Sequence, residues 1–316
     1  MNLTVSEYPK MVPICIEEGF CNLACPKCPV HGDSPRHDDM VKGRMPLEDA
    51  IKIFDELKGK NLTVTPAGVT EPLIQNDFLH YVNALNIREI PITLNSNGML
   101  IDKNMANTIV NEYKIASIFI SIDAMTPSTL KKTRDTDKLD KINRAVFNLL
   151  EARGTKSTPR IGVSFTVEAM NIHEKDDFVS YWTQHVDAVR INELYRYGSD
   201  GNIQENRPPC SVLYDTLFIG INGNARICCL DVFDKTSVGN VLETSVKEVW
   251  HGDKMNQIRH YHETGQFDKI DLCKNCEDWS RYMFEEEYEK NGLLIRKSKL
   301  ITYYNRIDRL NNWKRS

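Results

Sequence analysis

Short apolar runs alternate with amphipathic stretches over the first two thirds of the chain. Six of these runs have the length and apolar content of buried strands, and they read VPICIEE, NLTVTPAG, IPITLNSNG, IASIFISID, PRIGVSFTVE and DAVRINELYRYG. Helical spacing fills the segments between them. In MPLEDAIKIFDELKG, a proline near the start, acids in the first turn and a closing glycine mark the helix ends. Strands that alternate with helices predict βαβ units and a parallel sheet.

The number of these units predicts the fold class. Six βα units indicate an α/β protein with a partial (β/α)6 barrel of the TIM type. A doubly wound sheet stays open as the alternative, because periodicity alone does not separate the two architectures. In a barrel, the loops that follow the strands form the active face. We therefore expect catalytic groups in these loops.

The pattern changes after about residue 200. Gly, Asn and Pro accumulate, and TLFIGI and ARICCL flank the turn INGN, which predicts a small module with a β-hairpin. The last stretch carries apolar residues at three- and four-residue steps, which predict a helix: Leu300, Tyr303, Ile307, Leu310 and Trp313. We predict a barrel at 1–200, a hairpin-and-helix module at 201–280 and a helical extension at 281–316. The extension is basic, so it either docks on the barrel or contacts an acidic partner.

Composition excludes several classes of function. Hydrophobic residues make up 41% and charged residues 27% of the chain, as in folded globular proteins. The net charge of −4 gives no reason to expect a nucleic-acid partner. We find no signal peptide and no apolar run long enough for a membrane helix. The expected location is the cytoplasm, where the nine cysteines are better interpreted as metal ligands or reactive thiols than as disulfides.

Eight cysteines fall into two groups. The first group follows the first strand in the pattern CxxxCxxC, and the second lies in the later module; the members are Cys21, Cys25 and Cys28, then Cys210, Cys228, Cys229, Cys273 and Cys276. Cys15 stands alone in an apolar strand and is predicted to be a buried structural thiol. Thiolate-rich sites select zinc or iron–sulfur clusters. Zinc shared between the groups, or held within the second, is the alternative; three clustered thiolates fit a [4Fe–4S] cluster with one open iron better.

This first group resembles the signature of the radical S-adenosylmethionine (radical SAM) superfamily. The resemblance implies that the open iron binds the amino and carboxylate groups of S-adenosylmethionine. Reductive cleavage of that cofactor then gives a 5′-deoxyadenosyl radical, which removes a hydrogen atom from the substrate. The residue before the third cysteine is often aromatic in the family, whereas this chain has Lys27. An adenine contact is therefore not carried over to that position.

Three further segments resemble the cofactor-binding segments of that family. PAGVTEPLI looks like the glycine-rich segment after the second strand, in which Gly68 and Glu71 are expected to bind the cofactor's amino group and Thr70 replaces a glycine. TLNSNGML and ISIDAMTPSTLKKTR resemble the segments of the third and fourth strands, with Ser121 and Asp123 near the ribose. The remaining candidates for cofactor contact are Asn95, Asn97, Arg134, Ser164 and Arg190.

The second cysteine group resembles the auxiliary-cluster module called SPASM, in its shorter twitch form. A cysteine precedes a hairpin that ends in cysteine, and GN-x-x-x-x-S-x-x-E-x-W and CxxC follow. The resemblance implies one auxiliary [4Fe–4S] cluster held by Cys210, Cys228, Cys273 and Cys276. Cys229 is then a spare thiol, although the assignments of Cys228 and Cys229 could be exchanged. Neighbouring strand residues point to opposite faces, so both thiols do not easily face one cluster.

The resemblance implies a radical SAM oxidoreductase or epimerase. We expect a sugar or aminocyclitol substrate that is oxidised or epimerised, with Cys229 as a hydrogen-atom donor. Modification of a ribosomal peptide is the alternative, and an iron–sulfur electron carrier is a third hypothesis. The expected electron donor is a flavodoxin or ferredoxin. Polar candidates at the barrel mouth, with Glu193 and Asp215 as catalytic candidates, are Arg190, Glu193, Tyr195, Asp215 and Asp231.

Overall fold

The computed structural model describes residues 3–32, 42–66, 68–75, 77–194 and 207–312. Its strands are β1 Met11–Pro13, β2 Glu17–Glu18, β3 Gly43–Arg44, β4 Thr63–Thr65, β5 Ile92–Ser96, β6 Ile115–Ser121, β7 Arg160–Val167, β8 Ala188–Glu193, β9 Phe218–Ile219, β10 Asn224–Arg226, β11 Ser237–Asn240, β12 Glu286–Lys290, β13 Leu293–Lys297 and β14 Ile301–Arg306. Its helices are α1 Leu47–Leu57, α2 Phe78–Ile87, α3 Lys103–Asn107, α4 Pro127–Arg134, α5 Leu139–Arg153, α6 Lys175–Trp182, α7 Val212–Asp215, α8 Val246–Trp250, α9 Asp253–Glu263 and α10 Asp271–Lys274.

One nine-stranded sheet organises the molecule. Its order is β1-β4-β5-β6-β7-β8-β14-β13-β12. The first six strands of this order are parallel neighbours, as the six βα units predict. The sheet does not close on itself among the described residues, so the α/β, partial-barrel prediction is confirmed. Apolar side chains of the helices, among them Phe54, Phe178 and Trp182, are buried in the core.

The C-terminal stretch differs from its prediction. A helix was expected over the last stretch, and the structure instead has β12, β13 and β14 in antiparallel pairs, with β14 added to the edge of β8. The helix prediction is therefore wrong for residues 286–306, although a short 3-10 turn follows at Ile307–Asn312. The turn between β12 and β13 explains the strands: Asn291 and Gly292 both have positive φ, and Asn-Gly is the preferred pair in a tight hairpin turn.

The register of the sheet places polar side chains in one row on its inner face. Ser121 of β6 is opposite Ser164 of β7, which is opposite Arg190 of β8, which is opposite Tyr303 of β14. Residues opposite each other in neighbouring strands share a face. The row therefore crosses four strands, and we call these four residues the inner row.

The later module docks on the first strand of the large sheet. β9, β10 and β11 form a separate antiparallel sheet. Ile14 and Ile219 form a parallel bridge, and the backbone N–H of Cys15 donates to the carbonyl of Ile219 over 2.8 Å. The hairpin that leads to Cys228 is thus fixed to the strand that leads to the first cysteine group. In the described part of the chain, no helix is long and apolar enough to cross a membrane.

Candidate active site

The first cysteine group lies in a tight loop after β2. The backbone N–H of Cys28 donates to the carbonyl of Cys25 over 2.9 Å, and Gly32 donates to the carbonyl of Cys28 over 3.1 Å. A Cβ atom on Gly32 would lie 2.6–2.8 Å from three carbonyl oxygens of this loop. Only glycine leaves room for that approach. The loop geometry therefore depends on the residue four positions after the third cysteine.

The three thiols of this loop are placed to act together. Burial raises the pKa of Cys21 and Cys25, and negative charge on Cys25 and Cys28 would raise that of Cys21 further. Cys28 Sγ accepts the backbone N–H of His31 over 3.4 Å, and the backbone at Leu23 stabilises the Cys21 thiolate by a hydrogen bond. Hydrogen bonds to sulfur are a normal feature of iron–sulfur sites and tune their potential. The donor set therefore fits a cluster.

The segment with Gly68, Thr70 and Glu71 packs against this loop. A Cβ atom on Gly68 would lie 2.8 Å from the carbonyl oxygen of Glu17 and 3.2 Å from Cys15 Sγ, so the position has no room for a side chain. The Thr70 hydroxyl and the Glu71 backbone N–H both donate to the carbonyl of Phe20. This contact fixes the backbone immediately before the first cysteine.

The Glu71 carboxylate is already bound within the protein. It is 2% exposed and accepts hydrogen bonds from the Ser96 hydroxyl over 2.8 Å and from the Asn97 backbone N–H over 2.7 Å. Burial raises the pKa of Glu71, and it outweighs these hydrogen bonds, which lower that pKa. The Asn97 side chain in turn donates to Asn22 over 2.7 Å and lies 3.9 Å from Cys21 Sγ. Glu71 therefore ties the end of β5 to the cysteine loop.

Four charged residues form a network at the carboxyl ends of β6 and β7. The Lys27 ammonium donates to Asp123 over 2.5 Å and to Glu168 over 3.0 Å, and the Arg134 guanidinium lies 2.7 Å from the same Asp123 carboxylate. Burial opposes the charge of Asp123, but Arg134 and Lys27 outweigh burial and hold its pKa below the usual range. The carbonyl of Arg134 also accepts from Cys25 Sγ at 3.8 Å. This network borders the first cysteine group.

The inner row lies below that network. The Ser164 hydroxyl donates to the Ser121 hydroxyl over 3.2 Å. The Arg190 guanidinium crosses the sheet, donates to Asn95 over 3.0 Å and lies 4.8 Å from the centre of the Phe119 ring. Arg190 and Asn95 are thus brought together from β8 and β5. The hydrogen bond between Arg190 and Asn95 therefore lies on the face of the sheet that carries the inner row.

The second cysteine group splits into two parts. Burial raises the pKa of Cys210 to about 12, and negative charges on Cys273 and Cys276 would also raise it. A negative charge on Cys210 would in turn raise the pKa of Cys228. The Cys228 sulfur accepts the backbone N–H of Leu230 over 3.4 Å, and the Cys210 sulfur has a backbone hydrogen bond at Val212. The four predicted auxiliary ligands are therefore neighbours with the backbone donors of a cluster site.

Cys229 faces a different environment. It is the exposed residue of the second cysteine group, and the charges of Asp278 and Arg281 act on its thiol. A hydrogen bond from Cys228 lowers its pKa. Desolvation raises the pKa of Tyr282, as do Tyr303 and Cys229, whereas Arg190 lowers it. Tyr282 is thus close enough to both the Cys229 thiol and the inner-row residues Arg190 and Tyr303 to feel their charges.

Two predicted catalytic carboxylates are not brought to this place. Glu193 is exposed at the end of β8. It lies on the opposite face from Arg190, because successive strand residues alternate between the two faces and these two residues are three positions apart. Asp215 ends α7, accepts from Thr216 over 2.6 Å and feels the charge of Lys10, at the amino end of β1. The first cysteine group follows the carboxyl end of that strand.

Two further candidates have other outcomes. Asp231 is 3% exposed and accepts from the backbone N–H groups of Lys235 and Thr236, over 2.9 and 2.7 Å, so it organises its own loop. Tyr195 lies outside the described residues.

Sequence reasoning missed two tyrosines near Arg190. Tyr303 was assigned to a helix face, and Tyr282 follows the CxxC without a pattern of its own. The Asn291-Gly292 turn signal could have identified the hairpin, and its strand register would then have placed Tyr303 opposite Arg190. No local signal identifies Tyr282, since its position depends on contacts between the later module and the sheet.

The donor sets do not match a single metal ion. In the ranges that the structure describes, no group of three or more His, Cys, Asp or Glu side chains could hold one ion. A single zinc ion with bonds of about 2.3 Å needs sulfur atoms within about 4 Å of each other. A four-iron cluster is larger and separates its sulfur ligands more widely. The cysteine groups are therefore compared with cluster-binding families.

Comparisons with known proteins agree with this geometry. A model of the radical SAM superfamily matches residues 19–169, and a model of the iron–sulfur cluster-binding SPASM domain matches residues 210–277. The chain therefore belongs to the radical SAM superfamily and carries a SPASM domain, as predicted. The predicted cofactors, S-adenosylmethionine and iron–sulfur clusters, are those of these two domains.

A curated relative matches part of this chain. It is the S-adenosyl-L-methionine-dependent 2-deoxy-scyllo-inosamine dehydrogenase of Niallia circulans, 26% identical over 155 residues. The match covers 45% of this chain and spans 62% of the length of that relative. The chain thus matches less than two thirds of the length of that relative.

Solved structures show the same fold. BtrN in complex with AdoMet and 2-DOIA is 18% identical, with a TM-score of 0.55 and coverage of 88% of this chain and 96% of that one. SuiB of Streptococcus suis bound to its precursor peptide SuiA is 15% identical, with a TM-score of 0.63 and coverage of 86% and 72%. The anSMEcpe structure with bound AdoMet is 16% identical, with a TM-score of 0.63 and coverage of 84% and 88%.

Proposed function

We propose that this protein abstracts a hydrogen atom from a sugar or aminocyclitol and inverts the configuration of that carbon. The observation that supports epimerisation is the position of Cys229: this residue is exposed, and its thiol, which is hydrogen-bonded with Cys228, is also close enough to Tyr282 to raise the pKa of that tyrosine. The curated relative named as an inosamine dehydrogenase supports the substrate class.

Cys21, Cys25 and Cys28 would hold the cluster at which S-adenosylmethionine binds, and the bound cofactor would supply a 5′-deoxyadenosyl radical on one-electron reduction. Arg190 and Tyr303 of the inner row, together with Asn95, bind and orient the substrate beside it. Ser121, Asp123, Ser164 and Arg134 are proposed to contact the cofactor, with Gly68, Thr70 and Glu71 holding the loop in shape, and Cys210, Cys228, Cys273 and Cys276 to hold the auxiliary cluster.

Cys229 completes the reaction in this proposal. The substrate carbon loses its hydrogen atom to the deoxyadenosyl group, and the Cys229 S–H bond breaks to form the new C–H bond on the opposite face. The thiyl group that remains takes up one electron and one proton to restore the thiol. A flavodoxin or ferredoxin is the proposed electron donor, and the reducing cytoplasm is the proposed location.

Dehydrogenation is the second candidate, and the name of the curated relative favours it. The substrate radical then loses a second electron and a proton to give a ketone, with the electron accepted by an iron–sulfur cluster. Peptide modification is the third, because SuiB is described with a precursor peptide. Neither of these candidates uses the Cys229 thiol as a hydrogen donor by necessity.

Turnover in D₂O tests the proposal. The anaerobically reconstituted, reduced protein is incubated with sugars and aminocyclitols, and 5′-deoxyadenosine and products are measured by mass spectrometry. We expect one deuterium atom per epimerised product. Cys229→Ala should keep 5′-deoxyadenosine formation and lose the epimer, whereas Cys15→Ala, which removes a buried thiol outside the site, should leave both unchanged. An unlabelled product with two hydrogen atoms fewer would establish dehydrogenation instead.

A further inference from the structure

Unlike three buried arginines that pair with carboxylates, the half-buried Arg190 has a neutral partner. Arg134 lies 2.7 Å from Asp123, and Arg226 lies 2.9 Å from Glu18. Arg153 is likewise paired with Asp187. In the described part of the chain, Arg190 donates only to the Asn95 amide, and its buried Nε has no hydrogen-bond partner. A charge held out of water without a counter-charge is costly.

The protein holds this guanidinium in place with an aromatic ring. The Arg190 guanidinium lies 4.8 Å from the centre of the Phe119 ring, where cation–π attraction favours it. The ring itself lies against Gly162, where an added Cβ would approach it to 2.3 Å. Glycine at this strand position therefore makes room for the ring that supports Arg190.

A second arginine strengthens the positive potential. The Arg160 guanidinium lies 5.6 Å from the centre of the same ring. Burial lowers the pKa of Arg160 to about 10, and the charge of Arg190 acts in the same direction. Two guanidinium groups around one ring make this part of the sheet favourable for an anion and unfavourable for a cation.

We propose that Arg190 binds an oxyanion group of the substrate, a phosphate or a carboxylate carried by the sugar or cyclitol. This proposal rests on the proposed function and specifies its substrate class. Arg190 presents a planar set of donors that suits such groups, and Tyr303 lies opposite it in the register with Tyr282 beside it. The anionic group is bound on the inner row, and the reacting carbon lies between that row and Cys229.

Binding to the anaerobic holoprotein tests this proposal without turnover. Isothermal titration calorimetry, with S-adenosylmethionine present, compares related probes of different charge: glucose, glucose 6-phosphate, glucuronate and glucosamine, and myo-inositol with its monophosphate. We expect the anionic member of at least one set to bind about tenfold tighter than its neutral partner, the magnitude of a charge-assisted hydrogen bond. The phosphate and carboxylate probes distinguish the two anion types.

Two variants assign the effect. Arg190→Gln should remove the anion preference and change neutral-probe binding by less than about threefold. The control Arg306→Gln removes a charge on the neighbouring strand β14, where the guanidinium pairs with Asp308, and should keep the preference.

Three results would overturn the proposal: no anion preference in any set, a preference that survives Arg190→Gln, or Arg190→Gln weakening S-adenosylmethionine instead. Arg190-dependent binding of an acidic peptide but of no sugar or cyclitol would also overturn it. Loss of turnover with an intact anion preference would count against the proposed function alone.

Discussion

At the scale of single residues, Lys27 is the clearest departure from the family pattern. An aromatic residue is common at this position, and here the ammonium group bridges Asp123 and Glu168, which follow β6 and β7. The two carboxylates are 96 and 141 positions away in sequence. No local pattern predicts such a contact, whereas the three cysteines beside it are visible in the sequence because their spacing is local.

We predict that Lys27 and Glu168 stabilise the fold as a pair. The Lys27 side chain is 14% and the Glu168 side chain 9% exposed, so removal of Lys27 leaves the Glu168 carboxylate poorly solvated, and removal of Glu168 leaves Lys27 with Asp123 as its charge partner. Lys27→Met and Glu168→Gln should each lower the free energy of unfolding by about 1–3 kcal/mol, with a coupling of about 1–2 kcal/mol in the double variant. Denaturant unfolding of the anaerobic protein measures this cycle, and additive effects would contradict the pairing.

At the scale of secondary structure, the parallel strands were predictable and the last three strands were not. Runs such as IASIFISID combine strand length with continuous apolar character, and β6 occupies most of that run. In β14, residues on both faces are half-buried, and the two fully buried residues, Ile301 and Asn305, are four positions apart. This spacing is also that of one face of a helix. The pairing of β14 with β8 decided the structure, and that pairing is not encoded locally.

We predict that the hairpin turn at Gly292 supports the position of Tyr303. Gly292 has φ of +76° and nothing within 4 Å of an added Cβ, so Gly292→Ala should cost about 1–2 kcal/mol through backbone strain alone. Gly265, after α9, has φ of +72° and equal space, and Gly265→Ala is the matched control. Both should lower the Tm of the anaerobic protein similarly. Only Gly292→Ala should accelerate amide hydrogen exchange in β13 and β14; equal exchange in both variants would refute this role.

At the scale of the whole molecule, one buried ion pair joins the two cysteine modules. Glu18 precedes the first cysteine group by three positions, and Arg226 precedes Cys228 by two. Their side chains form two parallel hydrogen bonds of 2.9 Å, and Arg226 also lies 3.3 Å from Asp234. A rigid contact between the two loops keeps the inner row and the Cys229 thiol at a fixed separation.

We predict that breaking this pair destabilises both modules together. The Glu18 and Arg226 side chains are 0% and 5% exposed, so Arg226→Met strands a buried carboxylate and should cost about 3–5 kcal/mol. Arg226→Lys keeps the charge but loses the two-bond geometry and should fall between wild type and Arg226→Met. The double variant Glu18→Gln/Arg226→Met should recover part of the loss, because no buried charge is left at position 18.

Thermal unfolding with iron analysis at each step measures these stabilities, and we expect iron from both cysteine groups of the wild type to be released in one transition. If the wild type releases its iron in one transition and Arg226→Met releases it in two, this contact couples the two modules. Iron release in two transitions in the wild type would contradict the coupling.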